Sequence, residues 1–175
     1  MRRFLKGKKG LSTVVTTLII LVVAVLLATV VTYYAINMTT TRVQEENLRI
    51  SKAHIWANSS FQQAAFVIVN IGGRDTLIDK IQVRGQDIDW TEYSVYYNRT
   101  SAFAEDLDIL NFSATWPTGF QNATDDLSLK SGECMVIYID SPGTISVQDT
   151  GVTCSITVFT ASAQYKVEVN VESAS

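Results

Sequence analysis

Three sets of residues in this chain could take part in covalent chemistry. The first is a peptide bond. Lys8-Lys9-Gly10-Leu11 sets a basic, glycine-ended stretch directly against a run, Leu11 to Thr41, with no charged side chain. A peptidase cutting on the cytoplasmic side between Gly10 and Leu11 would remove the charges that pin an apolar helix in a bilayer. The second set is the Asn-X-Ser/Thr sequons at Asn37, Asn58, Asn98, Asn111 and Asn122, each a candidate acceptor for an N-linked glycan. With eight Asn in the chain and Ser plus Thr at about a fifth of it, chance gives roughly one or two sequons, so five is an excess that fits an exported, glycosylated surface. The third set is Cys134 and Cys154, which lack metal-ligand spacing and flanking histidines. They could form one bridge, whose loop of about 20 residues would contribute roughly 3 kcal/mol in the chain-entropy model. The alternative is two buried thiols acting as small hydrophobes.

Catalysis has little to draw on. The one histidine, His54, sits between Ala53 and Ile55 and reads as a packing or solvated residue rather than a base. There is no serine-centred elbow, histidine-rich metal motif or phosphate-cradling glycine loop. Glu105-Asp106-Leu107-Asp108 and Asp125-Asp126 offer carboxylates but miss the spacing of a dedicated calcium loop, so they read as solvated acidic loops. The chain is therefore expected to be no enzyme and to carry no cofactor and no metal.

The elements that position these residues begin with the apolar run. Leu18 to Val31 is interrupted only by Thr29, and Val14 to Ile36 is long enough to cross a hydrocarbon core, which needs about 20 residues. Arg2, Arg3, Lys6, Lys8 and Lys9 precede Gly10 and should stay cytoplasmic, which places everything after Thr41 outside. A conventional secretory signal has a shorter apolar region and a small-residue cleavage box, and neither occurs here. Losing those five basic residues would take the net charge from -3 to -8, and an acidic mature chain argues against a nucleic-acid partner.

This junction and run resemble the class III (prepilin-type) signal and N-terminal helix of archaeal type IV pilins. The Leu11-Ser-Thr-Val-Val15 start is similar to archaeal pilins and adhesion-filament subunits more than to archaellins. Bacterial type IV pilins usually carry Glu at the fifth mature position, where this chain has Val15. The resemblance implies processing by a prepilin-type peptidase, extraction from the membrane by an assembly machinery, and a helical homopolymer whose core is the N-terminal helix. It further implies an extracellular adhesion filament. An archaellin-type motility filament is the second expectation, and a monomeric, permanently membrane-anchored surface binding protein the third.

The expected organisation is α+β. Residues 1–10 form the leader, and 11–57 one long helix, apolar first and then an amphipathic stalk, because Ile36, Val43, Ile50 and Ala57 fall seven apart with charges between them. Residues 58–175 form the head. There the period switches to two: strands are predicted at Ala65–Ile71 and Leu77–Val83, hairpin-like across Gly72–Asp75, and at Cys134–Ile139, Thr153–Thr160 and Tyr165–Val171. Strands at this spacing favour a sandwich or open barrel, and the resemblance implies an immunoglobulin-like antiparallel β-sandwich. Residues 90 to 127 form an insertion rich in aromatics and sequons. Its rings could meet carbohydrate or a surface, but packing of the loops onto the sandwich is the better-supported reading.

Overall fold

The computed structural model describes residues 8–43, 45–90, 94–100, 103–112 and 117–174. The chain divides into two compact units, one ending at Val43 and the other starting at Gln44. The first is the helix α1, Lys8–Val43. The second is a mostly β domain with strands β1 (Leu48–Ala57), β2 (Gln62–Asn70), β3 (Thr76–Val83), β4 (Gln86–Asp87) and β5 (Val95–Thr100). It continues with β6 (Gln121–Asn122), β7 (Leu127–Leu129), β8 (Cys134–Asp140), β9 (Thr153–Thr160) and β10 (Gln164–Ser173).

The helix is shorter than expected. Residues 48–57, predicted as amphipathic stalk, form β1, so the 11–57 helix is corrected to one ending at Val43. Leu48 and Ile50 face the core, and so do Ala53, Ile55 and Ala57. The inward parity changes between Ile50 and Ala53 because the register slips between Ser51 and His54, with Lys52 at φ 48° in the left-handed region. That slip hid the two-residue period and left a seven-residue spacing that mimics a helix. Pairing on both sides, with β2 and β10, satisfies the backbone of β1 and overrides its local propensity.

The strands follow one curled path, β4-β3-β9-β10-β1-β2-β8-β5-β6, with β7 also on β3. β10 links its two halves: residues 164–170 pair with β9, and Val171–Ser173 pair with β1. The larger sheet is β1, β2, β8, β5 and β6, and the smaller is β9, β3, β4 and β7. Two expectations change here. The β1–β10 pair is parallel, so the head is not purely antiparallel. β2 and β3 are not a hairpin either, since β2 pairs with β1 and β8 whereas β3 pairs with β4, β7 and β9. The turn between them passes from one sheet to the other. Gly72 makes that passage possible, because a Cβ there would lie 2.6 Å from the Glu45 carbonyl oxygen and 2.7 Å from Asn47 N.

The core lies inside the curl. Phe66 and Ile68 of β2, Ile137 and Ile139 of β8, Ile81 and Val83 of β3, and Ile156 and Val158 of β9 are all essentially inaccessible. A second apolar cluster lies on the opposite face of the larger sheet, where Trp56, Ala65, Val67, Tyr96, Val136 and Tyr138 meet Leu107 and Phe112 from the insertion. β2 and β8 are therefore covered on both faces, which is why they read as unbroken apolar runs. β10 alternates instead, with Tyr165, Val167 and Val169 packed inward and Lys166, Glu168 and Asn170 wet. Among the described residues, Tyr96, Phe103, Phe112 and Phe120 thus pack onto this face of the sheet, as the better-supported reading had it.

The two faces also settle the cysteines. Both thiols are free and buried. Cys134 belongs to the cluster under the insertion and Cys154 to the core inside the curl, on different sheets. The expected bridge between them is replaced by two buried thiols acting as small hydrophobes.

Candidate functional site

Two surfaces carry the features that could serve a function. The first is α1. Ser12 to Thr41 is apolar enough to cross a membrane: its most apolar 18-residue stretch has a mean hydropathy of 3.1, and none of that stretch is buried. Apolar side chains project all round it: Leu18, Leu21, Val25, Val30 and Ile36 are each exposed by more than half. A helix apolar on every side belongs in lipid or among other helices rather than in water. Most of its threonine hydroxyls are already occupied. The hydroxyls of Thr16, Thr29, Thr32, Thr39, Thr40 and Thr41 each donate to the carbonyl four residues back at 2.8–2.9 Å. No threonine in that set asks a neighbouring phase for a partner. From Ser12 to the adjacent Tyr33 and Tyr34, α1 advances about 33 Å at 1.5 Å per residue, close to the hydrocarbon thickness of about 30 Å. Aromatic rings with a hydroxyl suit that boundary.

Gly10 and Leu11, the predicted cleavage pair, lie in the first turns of α1. Residues 1–7 of the predicted leader lie outside the described residues, as do Tyr93 and Trp116 of the insertion. Asn37 lies on α1, one turn beyond the tyrosine pair, with its carbonyl accepting the Thr41 hydroxyl at 2.9 Å.

The second surface is the insertion where it docks on the larger sheet. Residues 103–112 have no strand pairing, so side chains of the sheet supply what a ladder would. Gln63, 1% exposed, acts as a surrogate peptide: its Nε2 donates to the Leu110 carbonyl at 2.8 Å and its Oε1 accepts from Leu110 N at 3.0 Å. The Tyr138 hydroxyl donates to the Asp108 carbonyl at 2.8 Å. Lys52, aimed by its left-handed backbone, donates to the carbonyls of Ala104 at 2.6 Å, Phe103 at 3.4 Å and Glu105. His54 lies on β1 rather than on a stalk helix, with Nε2 3.1 Å from Asp106 Oδ1 and Nδ1 3.3 Å from Glu172 Oε1. Its ring stacks on Trp56 at 5.3 Å. Beneath the segment, Phe112 stacks on Tyr96 at 4.0 Å and meets Phe120 and Tyr138 at 5.6 Å. Sequence reasoning missed Lys52, His54 and Gln63 as anchors, and the parity slip in β1 was the signal that could have exposed the first two.

The electrostatics follow from this packing. Burial, and then the nearby Asp108 charge, push the Tyr138 hydroxyl up to about 12. Burial likewise pushes the Cys134 thiol up, which keeps it protonated and unreactive. The Leu107 amide and the His54 ring hold the Asp106 carboxyl below its ordinary value. No family model matches the chain, and no curated protein does. The site must therefore be read from its own geometry. Among the described residues, no three His, Cys, Asp or Glu side chains converge as metal ligands would.

Two grooves flank the docked segment. One, about 310 Å³, runs along Asn98, Phe103, Asp106, Asp108 and Phe120 with Tyr138 in its floor. The other, about 360 Å³, lies among Phe61, Leu110, Phe112 and Asp140, and burial pushes the Asp140 carboxyl up. The head sequons gather around this surface. Asn98 is in β5 and Asn122 in the neighbouring β6, Asn111 precedes Phe112, and Asn58 follows β1. The Ser113 that completes the Asn111 sequon lies outside the described residues. Asp125 and Asp126 are exposed beside β7, with Asp126 N donating to Asp125 Oδ1 at 2.8 Å.

Proposed function

We propose that this chain is a structural subunit of an extracellular, type IV pilus-like adhesion filament. In this reading the chain is cut between Gly10 and Leu11 by a prepilin-type peptidase, and α1 passes from the membrane into the filament core. One observation carries the reading: a 36-residue helix, apolar on all sides and unburied, begins at the Lys8-Lys9-Gly10 junction. An N-terminal apolar helix of this kind is compatible with a membrane anchor or a signal sequence. The abrupt charge boundary at Gly10 favours removable anchoring, because cleavage there strips the basic residues and leaves a helix that identical neighbours can cover. The curled sheet around one core supports reading the head as an immunoglobulin-like sandwich that forms the glycosylated outer layer. Adhesion is the role that fits a head whose chain has no catalytic constellation in its sequence.

N-terminal mass spectrometry of protein sheared from the cell surface tests this reading. The expected start is Leu11. A Met1 or Arg2 start found only in membranes would make the chain an anchored surface binding protein instead.

A further inference from the structure

We propose that Asn98 carries an N-linked glycan whose innermost sugars lie in the adjoining groove and finish the outer face of the larger sheet. This rests on the outward placement of the head in the reading above. The head sequons differ in what their amides already do. Asn58 accepts from Ser60 N at 2.6 Å and donates to the Ala174 carbonyl at 3.5 Å. Asn122 has its Oδ1 sealed from solvent without a partner. Asn111 already has an interaction partner. Asn98 is half-buried, and its side chain makes no hydrogen bond among the described residues.

The amide is closed on one side and opens on a groove on the other. A Cβ at position 119 would lie 3.0 Å from Asn98 Nδ2, and Gly119, at φ +89°, is a position where a side chain would be strained. The Gly119 backbone therefore closes that side of the amide, and a substituent on Nδ2 has to leave toward the groove. The alternation of β5 puts Asn98 on the same face as Tyr96, the face under the insertion. The groove there, about 310 Å³, is at the lower end of the range for small-ligand pockets, roughly 300–1,000 Å³. Phe103 and Phe120 offer flat apolar surface to the C–H faces of a pyranose. Asp106 and Asp108 offer acceptors to its hydroxyls.

The donor is an oligosaccharide on a lipid phosphate or diphosphate. Asn98 Nδ2 bonds to the anomeric carbon, the bond from that carbon to the phosphate oxygen breaks, and the phosphate leaves with the electron pair. The amide gives up one proton to a base of the transferase, and nothing is oxidised or reduced. Because Asn98 is paired with Val136, transfer precedes the closure of β5 onto β8.

The test uses the full chain purified from the surface of the cells that make it. Glycopeptide mass spectrometry is expected to find a glycan on Asn98, and enzymatic deglycosylation is expected to speed amide exchange in residues 103–112 about threefold or more. The variant Asn98→Gln should show the faster exchange without enzyme treatment. Unmodified Asn98 in exported protein overturns the proposal, and so does a glycan whose removal leaves that exchange unchanged. The N-terminus of the same sample separates the two readings. A Leu11 start with bare Asn98 defeats this inference alone, whereas an intact leader with modified Asn98 supports it and defeats the filament.

Discussion

The helix and the β domain hide their apolar surface by opposite means. In the domain, Phe66, Ile68, Ile137 and Ile156 are buried against partners from the same chain, and the insertion covers the outer face of the larger sheet. In α1, Leu21, Val25, Leu26 and Val31 have no such partners and stay more than half exposed. Both units satisfy their backbones internally, the helix by its own ladder and the sheet by pairing. The difference teaches that the domain is complete in itself, whereas the helix is complete only in a second phase, whether lipid or copies of itself.

Substitutions in each unit should therefore act on different observables. Phe66→Ala in the core should cost the domain about 3–5 kcal/mol by cavity formation and leave membrane insertion of α1 untouched. Chemical denaturation followed by tryptophan fluorescence would read the first, and membrane fractionation the second. The converse is Val22→Asp. A carboxylate near the middle of α1 should cost about 2.5–3.5 kcal/mol of insertion, seen as a soluble or degraded fraction, while the melting midpoint of the domain holds. A shift of that midpoint by several degrees with Val22→Asp would show that the units are coupled and break the comparison.

The docked insertion offers a test within the domain. The Tyr138 hydroxyl, raised to about 12, favours the neutral phenol in the folded state more strongly than in the unfolded chain, where it ionises near 10. Its contribution is therefore fully present below pH 10 and is lost as the pH rises from 10 to 12. Two pKa units correspond to about 3 kcal/mol, and Tyr138 is 2% exposed, so solvent screening is slight. Tyr165, raised by burial in the same direction, adds to the same window. Thermal melts between pH 8 and pH 12 should show Tyr138→Phe flatter than the unaltered chain. An unchanged alkaline slope would mean that the phenol is not held neutral by the packing described.

Much of the domain was legible in the sequence. β2, β3, β8, β9 and β10 fall within a few residues of their predicted places, because unbroken apolar runs and strict alternation are local records of how many faces a strand buries. β1 was not legible, because a single left-handed residue at Lys52 shifts the parity and the remaining spacing suits a helix. The pairing of Gly72–Asp75 with a hairpin also misled. Glycine there serves close approach to Glu45 and Asn47 rather than a tight reversal, and that purpose is invisible without the third segment. β5 to β7 escaped because short strands among Asn, Ser and Thr carry little periodicity. The anchoring of the insertion by Lys52, His54, Gln63 and Tyr138 spans up to 75 positions of sequence, from Gln63 to Tyr138, and leaves no local trace.

The smallest expected effect is the sharpest test of the helix. Thr29 is the polar interruption in the Leu18–Val31 run, and in water an exposed threonine and valine differ through hydration of the hydroxyl. On α1 that hydroxyl already donates to the Val25 carbonyl at 2.9 Å, so it brings no unsatisfied donor into an apolar phase. Valine has the same branched shape and the same stiffness at χ1. On the filament reading proposed above, Thr29→Val should therefore change insertion and assembly by less than about 0.5 kcal/mol, measured as the fraction of protein in membranes and in sheared material. If filaments are lost while insertion is unchanged, Thr29 makes a contact between helices that its own carbonyl does not satisfy. The surface of α1 around Val25, Thr29 and Tyr33 would then be an oriented interface rather than a uniformly apolar one.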